Sequence, residues 1–451
     1  MSLERRVDKV FTDLFPINRS LTGKGVEETF NYLIEHFLPD AEVKSIPSGT
    51  NVFDWVVPEE WSVTDGYIVN GKGEKIVDFK KSNLHIMSYS DAVDRVIDTD
   101  ELLRHVHTLP NYPSRIPYRT SYYNRNWGFC CAHNLIESDK FSPPFKVSIQ
   151  SKFDSNGNLK WLECIKKGRI KKEILISTYC CHPSLANDNL SGIVLSAFLF
   201  EYLNLLDTKY TYRLIIAPET IGAISFLSQA NTENIIGGMI LSCVAGPDKI
   251  SIKEGFDVNH FINESAHLAL KSHFGSDYLT YPFVPNGSDE RQFSSPGFRI
   301  ITPSIHKSKY YEYNEYHTSA DNLDYISSPA LIESFEVHKS WIELIESYCF
   351  PKRKNKFCEF QLGKRDLYPQ IGGTLNQSAH IENEETTHKR IFSFNEKVEL
   401  TGAHLNAFQW LMHLADGSIS NFEIAKKSGI EITIINEAIA AMSQKDLLEL
   451  L

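Results

Sequence analysis

No two cysteines in this 451-residue sequence are spaced as CxxC, although eight are present and two pairs are adjacent, Cys130-Cys131 and Cys180-Cys181. A zinc knuckle and a secreted disulfide framework are therefore not indicated, and reduced thiols are expected. No apolar run approaches the roughly 18 to 20 residues that a membrane span needs. The opening MSLERRVDKVFTDLF lacks a signal-peptide core and cleavage site and reads instead as an amphipathic helix, which predicts a cytoplasmic protein. Positive charge is in deficit, with 46 Lys and Arg against 57 Asp and Glu and a net charge of −11. That balance argues against nucleic acid or an anionic membrane as the main partner, since both recruit excess cations. Internal repeats and low-complexity tracts are also missing. What is present is an ordinary globular composition, 42% hydrophobic, 12% aromatic and 23% charged. The length predicts two or three folded units at about 150 residues each.

Residues 1–48 carry two helical patterns. Leu3, Val7, Val10, Phe11 and Leu14 share one face, and Val26, Phe30, Leu33, Ile34, Phe37 and Leu38 form a second stripe closed by Pro39. Residues 49–115 change to short β-type runs, including a hairpin GYIV-NGKG-EKIVDF, and read as an inserted β-rich subdomain. From 116 to 350 strand-like runs (FKVSIQ, LKWLECI, EILISTYC, YRLIIAP, GGMILSCV, FRIITPS) alternate with helical ones. Continuous apolar strands followed by helices predict an α/β fold with a mostly parallel sheet sandwiched by helices. The helix from Ser191 to Leu206 is apolar on nearly every side and must lie deep in that sandwich. Residues 351–387 read as a linker, clearest in the polar segment Asn376 to His388. Residues 388–451 read as a winged-helix-like domain with helices at Leu405 to His413, Asn421 to Ser428 and Thr433 to Leu450.

Ligands of open α/β sheets bind beyond the carboxyl ends of the strands, and the suspicious clusters sit at such ends. EILISTYC delivers Cys180-Cys181-His182, and Asp188 follows six residues after the histidine in the phrase DNLSG that opens the buried helix. A His and an Asp on one strand-to-helix loop are within reach of a common metal ion. The next strand, YRLIIAP, ends at Glu219, which is either a helix-capping carboxylate or a general base beside a metal-bound water. Farther on, Glu312, Glu315, His317 and Asp321 form an acidic loop around one imidazole, in keeping with the habit of zinc-bound histidines to donate their second N–H to a carboxylate or carbonyl. The stretch Tyr118, Arg119, Tyr122, Tyr123, Arg125 and Trp127 is basic and aromatic. Asp289, Glu290 and Arg291 form a second polar cluster. Arg119 or Arg291 could clamp a carboxylate or phosphate, with structural salt bridging as the plainer role.

Taken together, these pieces resemble the zinc aminopeptidases of the leucine-aminopeptidase and glutamate-carboxypeptidase type over residues 116–345 and the N-terminal helices. The whole chain more closely resembles a bacterial family of aminopeptidase-like proteins with an inserted small domain and a winged-helix tail. The phrases that carry this are DWVVPEEW (54–61), NLHIMSYS (83–90), IPYRTSYY (116–123), WGFC (127–130), DNLSG, APETIG (217–222), GSDERQF (287–293), PGFRI and EYHTSADNLD. By position the resemblance implies that His182, Asp188 and His317 are metal ligands, Glu219 the general base and Asp321 a residue that supports the ligands. Thr220 stands where those enzymes place a second ligating glutamate, and Cys243 about where they place a ligating aspartate. A Thr hydroxyl is a poor zinc ligand, so one zinc ion per chain is expected.

The sequence thus predicts metal-dependent hydrolysis of an amide bond, most simply removal of an N-terminal residue from a peptide. An N-acylated small molecule such as an amino sugar is the alternative substrate. A catalytically silent binding or regulatory protein is the alternative of another class. Arg119, Tyr122, Asp289 and Arg291 are the expected substrate contacts. The region from Lys389 to Leu451 has six Lys or Arg against eight Asp or Glu, and Thr433 to Gln444 contains no basic residue. The tail is therefore expected to work through protein contacts, with homo-oligomer formation among them, and not through DNA.

Overall fold

The alternation of apolar strands and helices resolves, in a computed structural model, into an eight-stranded sheet. The structure describes residues 2–368, 390–393, 397–400 and 402–451. The chain divides into two units, Met1–Ile342 and Glu343–Leu451. In the first, the sheet order is Glu42–Pro47, Asn158–Lys166, Thr211–Ala217, Glu173–Tyr179, Ile235–Leu241, Ser304–Lys307, Ile250–Lys253 and Leu279–Tyr281. The four middle strands are mutually parallel. Antiparallel pairing enters at Glu42–Pro47, Asn158–Lys166 and Ile250–Lys253. The expected α/β fold with a mostly parallel centre is the one found.

The helix Ser191–Asn204 buries eleven of its fourteen residues, which is why its sequence shows no polar face. It packs on the three strands Glu173–Tyr179, Thr211–Ala217 and Ile235–Leu241, and the N-terminal helix Leu3–Leu14 packs on it in turn. Val7, Val10, Phe11 and Leu14 are the buried face of that N-terminal helix. Arg6 pairs with Glu201 at 2.7 Å across the two helices. The run Phe298 to Ser304, expected as a strand, begins regular pairing only at Ser304. Pro303 has no N–H to give, although the carbonyls of Ile301 and Pro303 accept from Gly238 and Ile240.

A second, antiparallel sheet has the order Lys75–Asp78, Glu60–Val69, Phe145–Asp154 and Val93–Ile97. The strand Phe145–Asp154 thus departs from the expected boundary at residue 115: its partner is the long strand Glu60–Val69, and not the parallel sheet. Phe145, Val147 and Ile149 are buried while Gln150 and Lys152 are exposed, the one-sided pattern of an antiparallel strand. Ile68, Phe145 and Val147 of this sheet share one apolar cluster with Leu175, Tyr179 and Ile215 of the large sheet. The inserted segment therefore completes the core of the first unit.

In the second unit, residues 351–387 are not all linker. Pro351–Arg353 pairs antiparallel with Leu448–Leu450, and Phe360, Leu362 and Leu367 are buried. The segment Asn376 to His388 lies outside the described residues. A hairpin of Arg390–Ser393 and Lys397–Leu400 precedes three helices, Gly402–Leu414, Asn421–Ser428 and Ile432–Gln444. Ser420 caps the middle helix by accepting from Glu423 N–H, and Gly429 ends it at φ +69°. The third helix stops at Gln444 instead of continuing to Leu450. Asp446 takes a left-handed φ of +61°, after which the chain becomes a strand. Among the described residues no helix is long and apolar enough to cross a membrane.

Candidate metal centre

The strand Glu173–Tyr179 is buried from Ile174 onward, so its carboxyl end delivers Cys180, Cys181 and His182 into the protein interior. A tight turn over Ala186–Leu190 then feeds the helix Ser191–Asn204. Gly192 permits that helix to press on the sheet, because a Cβ there would lie 2.3 Å from the Leu241 carbonyl oxygen. Asn189 ties the strand ends together: its side-chain amide donates to Thr178 Oγ1 at 2.9 Å and to the Tyr179 carbonyl at 3.1 Å, and its Oδ1 accepts from Cys243 N–H at 3.3 Å. Arg19, wholly buried, donates to the carbonyls of Leu14 at 2.7 Å and His182 at 3.2 Å, holding the histidine's backbone.

His182, Asp188 and His317 meet in this framework, with one ligating atom from each lying within 4.8 Å of the others. His182 Nδ1 is 3.5 Å from Asp188 Oδ1, and His317 Nε2 is 2.9 Å from Asp188 Oδ2. His182 Nδ1, His317 Nε2 and Asp188 Oδ2 are buried, and although they approach one another none makes a well-aligned hydrogen bond. Buried polar atoms are normally satisfied, and three such atoms facing one another form two nitrogens and one oxygen suited to a divalent cation. The residues present therefore fit zinc. Burial pushes the Asp188 carboxyl up, but the attraction of the two imidazoles prevails and holds it far below the usual carboxylate range. His317 is pulled below its ordinary value by burial, which favours the neutral, ligating form.

Supporting groups surround the three. Tyr179 O–H donates to Asp188 Oδ1 at 2.6 Å. Asp321 accepts the backbone N–H groups of Asn187 and Asp188, and Tyr313 O–H at 2.9 Å. Its burial, with the nearby charge of Asp188, pushes it up to about 7. His317 has a left-handed φ of +54°, and its carbonyl accepts Tyr118 N–H at 2.8 Å. The Tyr118 ring stands edge-on to both imidazoles at 5.1 Å, and Tyr316 stacks on His317 at 3.9 Å.

Glu219 emerges from the strand Thr211–Ala217 and reaches to 3.8 Å from His182 Nε2. Burial raises its carboxyl, the His182 charge lowers it, the Asp188 charge raises it again, and it settles at about 7. Its N–H donates to Cys181 Sγ at 3.3 Å. The following residue, Thr220, is held at φ +64°, a costly conformation for a β-branched residue. Asp289 accepts the Thr220 N–H at 2.7 Å and Arg291 donates to Thr220 Oγ1 at 3.0 Å. These two expected substrate contacts thus brace the turn that aims Glu219. Arg119 is exposed and donates to the Tyr118 carbonyl at 3.0 Å, while Tyr122 is exposed and lies within electrostatic reach of Glu219. Cys243 Sγ lies 3.9 Å from Asp188 Oδ1, and burial drives its thiol well above the usual range.

Sequence reasoning missed Tyr179, Tyr313, Tyr316 and Arg19. Tyr179 carries the one phenol of EILISTY at the position nearest the loop, and Tyr316 adjoins His317 in sequence; both signals were available. Arg19 offered none, being one cation in an exposed-looking segment.

Residues 8–348 match the family described as "Domain of unknown function (DUF4910)". A Clostridium acetobutylicum protein, named as a candidate polysaccharide biosynthesis protein with an aminopeptidase-like domain, is 40% identical over 440 residues, covering 97% of this chain and 94% of that one. A crystal structure from Clostridium acetobutylicum, named as a candidate peptidase, superposes with a TM-score of 0.86 at 38% identity, covering 99% of this chain and 96% of the other. A zinc aminopeptidase from Bacillus subtilis shares the fold at a TM-score of 0.53 and 12% identity, over 76% of this chain and 95% of that one. The chain belongs to the DUF4910 family and is built on the fold seen in zinc aminopeptidases.

Proposed function

We propose that this protein is a metal-dependent hydrolase of amide bonds, with aminopeptidase-type removal of an N-terminal residue as the simplest form. The observation that carries the reading is the group of buried ligand atoms on His182, Asp188 and His317 with a carboxylate, Glu219, beside it. His182, Asp188 and His317 would hold one zinc ion. When bound, zinc supplies Lewis acidity that polarises a carbonyl and acidifies water. Thr220 and Cys243 would not serve a second ion well, because the Thr220 hydroxyl is already engaged by Arg291 and Cys243 keeps its proton, although Cys181, His182 and Glu219 also lie close enough together to hold a metal.

Glu219 acts as the base. Its carboxylate takes the proton of the attacking water, holds it on oxygen and returns it to the leaving nitrogen. A carboxyl raised by burial to about 7 suits both halves of that exchange at neutral pH. Asp289 and Arg291 fix the backbone turn that presents it, and Asp321 fixes the loop that presents Asp188. The same chemistry applied to an N-acylated amino sugar is the second reading. The name of the 40% identical relative, a candidate polysaccharide biosynthesis protein, supports it.

Glu219→Gln tests the base. Turnover of aminoacyl anilides or N-acetylated amino sugars should fall about 10²- to 10⁴-fold with zinc affinity unchanged. A zinc affinity reduced tenfold or more alongside turnover would show instead that Glu219 is a ligand.

A further inference from the structure

A cleft of about 230 Å³ is bounded by Gly49 and Val56 to Glu59, by Tyr89, by Ser121 to Arg125 and by Phe153. We infer that this cleft is a saccharide-binding subsite, so that the amide substrate carries a sugar ring; this rests on the amide-hydrolase reading above. The volume is below the ~300–1,000 Å³ of sites for drug-sized ligands and suits a single ring.

The chemistry of the walls selects the ligand. Tyr122 and Tyr123 line the cleft and keep 38% and 50% of their surface exposed, and Trp55, 40% exposed, stands edge-on to Tyr123 at 5.7 Å. Such clustered aromatic surface offers faces on which the C–H side of a pyranose can lie. An anion is excluded. Arg125, the one cation of the lining, lies 3.6 Å over the Phe153 ring and already pairs with Glu59 and with Asp91 at 2.9 Å. Two carboxylates against one guanidinium leave the region negative, which repels phosphate or carboxylate groups. A wholly apolar side chain fits poorly too, because Glu59, Ser121 and Asn124 present polar atoms that it would desolvate without compensation. A neutral ring with an apolar face and a rim of hydroxyls meets both conditions.

The cleft also communicates with the chemistry. Tyr122 lies within electrostatic reach of Glu219 and Asp188, and the ring of Tyr118, four residues earlier, stands edge-on to both His182 and His317. The name of the 40% identical relative is consistent with this class of substrate.

Saturation-transfer NMR with N-acetylglucosamine on the full chain tests the subsite. Wild type should bind, Tyr123→Ala should weaken binding at least tenfold, and Tyr123→Phe should restore it by keeping the aromatic face. Absence of binding to wild type, or equal binding by Tyr123→Ala, overturns the proposal. The two readings fail separately. Cleavage of an aminoacyl anilide without sugar binding removes the subsite and leaves the hydrolase, whereas sugar binding that depends on Tyr123, with no amide cleaved, removes the hydrolase and leaves the subsite.

Discussion

The carboxylate of Asp321 accepts the backbone N–H of Asp188 at 3.0 Å through Oδ2, while its Oδ1 accepts that of Asn187 at 2.6 Å. Four residues after His317, one side chain thus fastens the loop that carries Asp188 to the loop that carries the histidine.

Asp321→Asn should break this fastening. The amide has one acceptor oxygen, and its NH₂ group faces a backbone N–H that it cannot satisfy. Residues that orient metal ligands typically contribute 10- to 100-fold in metal affinity, and a buried unsatisfied donor costs about 1 to 3 kcal/mol. Calorimetric zinc titration and thermal unfolding should both register the loss; unchanged zinc affinity would separate Asp321 from the ligand set.

On the proposed reading, Thr220 and Cys243 would limit the site to one ion. The double variant Thr220→Glu with Cys243→Asp should raise zinc content from about one to about two per chain, because it replaces a hydroxyl and a protonated thiol with carboxylates next to Asp188 and Glu219. Elemental analysis after dialysis reads this directly. A stoichiometry unchanged by the pair would mean that other groups limit the site to one ion.

How much of this was legible follows from where each signal resides. His182, Asp188 and Glu219 stand just past the ends of apolar strands, so topology pointed to them, whereas His317 and Asp321 joined them through the resemblance to zinc aminopeptidases. The strand Phe145–Asp154 was assigned to the wrong sheet because apolar runs state that a strand is buried without naming its partner. Its alternation after Val147 was the available clue. The bracing role of Asp289 was hidden, since a carboxylate that holds a backbone N–H looks in sequence like one that awaits substrate. The tyrosines around the imidazoles read as core for the same reason: their rings are core, and only their hydroxyls belong to the site.

His338 gives the fold a pH dependence remote from these ligands. It is wholly buried on the helix Ser328–Ser347, with Nδ1 2.7 Å from the Ser334 carbonyl and Nε2 without a partner. Burial pushes it down to about 4, against the pull of that carbonyl. Above an unfolded value of about 6.5 neither state binds the proton and stability is full; as pH falls from 6.5 toward 4 only the unfolded state binds it, and stability declines by about 1.4 kcal/mol per unit. Urea unfolding at pH 7 and pH 5 should therefore show a loss about 2 kcal/mol smaller in His338→Gln than in wild type. Equal losses would mean that His338 titrates normally.

Zinc titration into metal-free wild type and His317→Ala, followed by calorimetry at pH 7, examines the meeting of His182, Asp188 and His317 most directly. The expected result is about one zinc per wild-type chain and an affinity at least 100-fold lower in the variant, since two remaining ligands cannot complete a tetrahedral site. A wild-type chain that binds no zinc, or a His317→Ala chain that binds it equally well, would contradict the account.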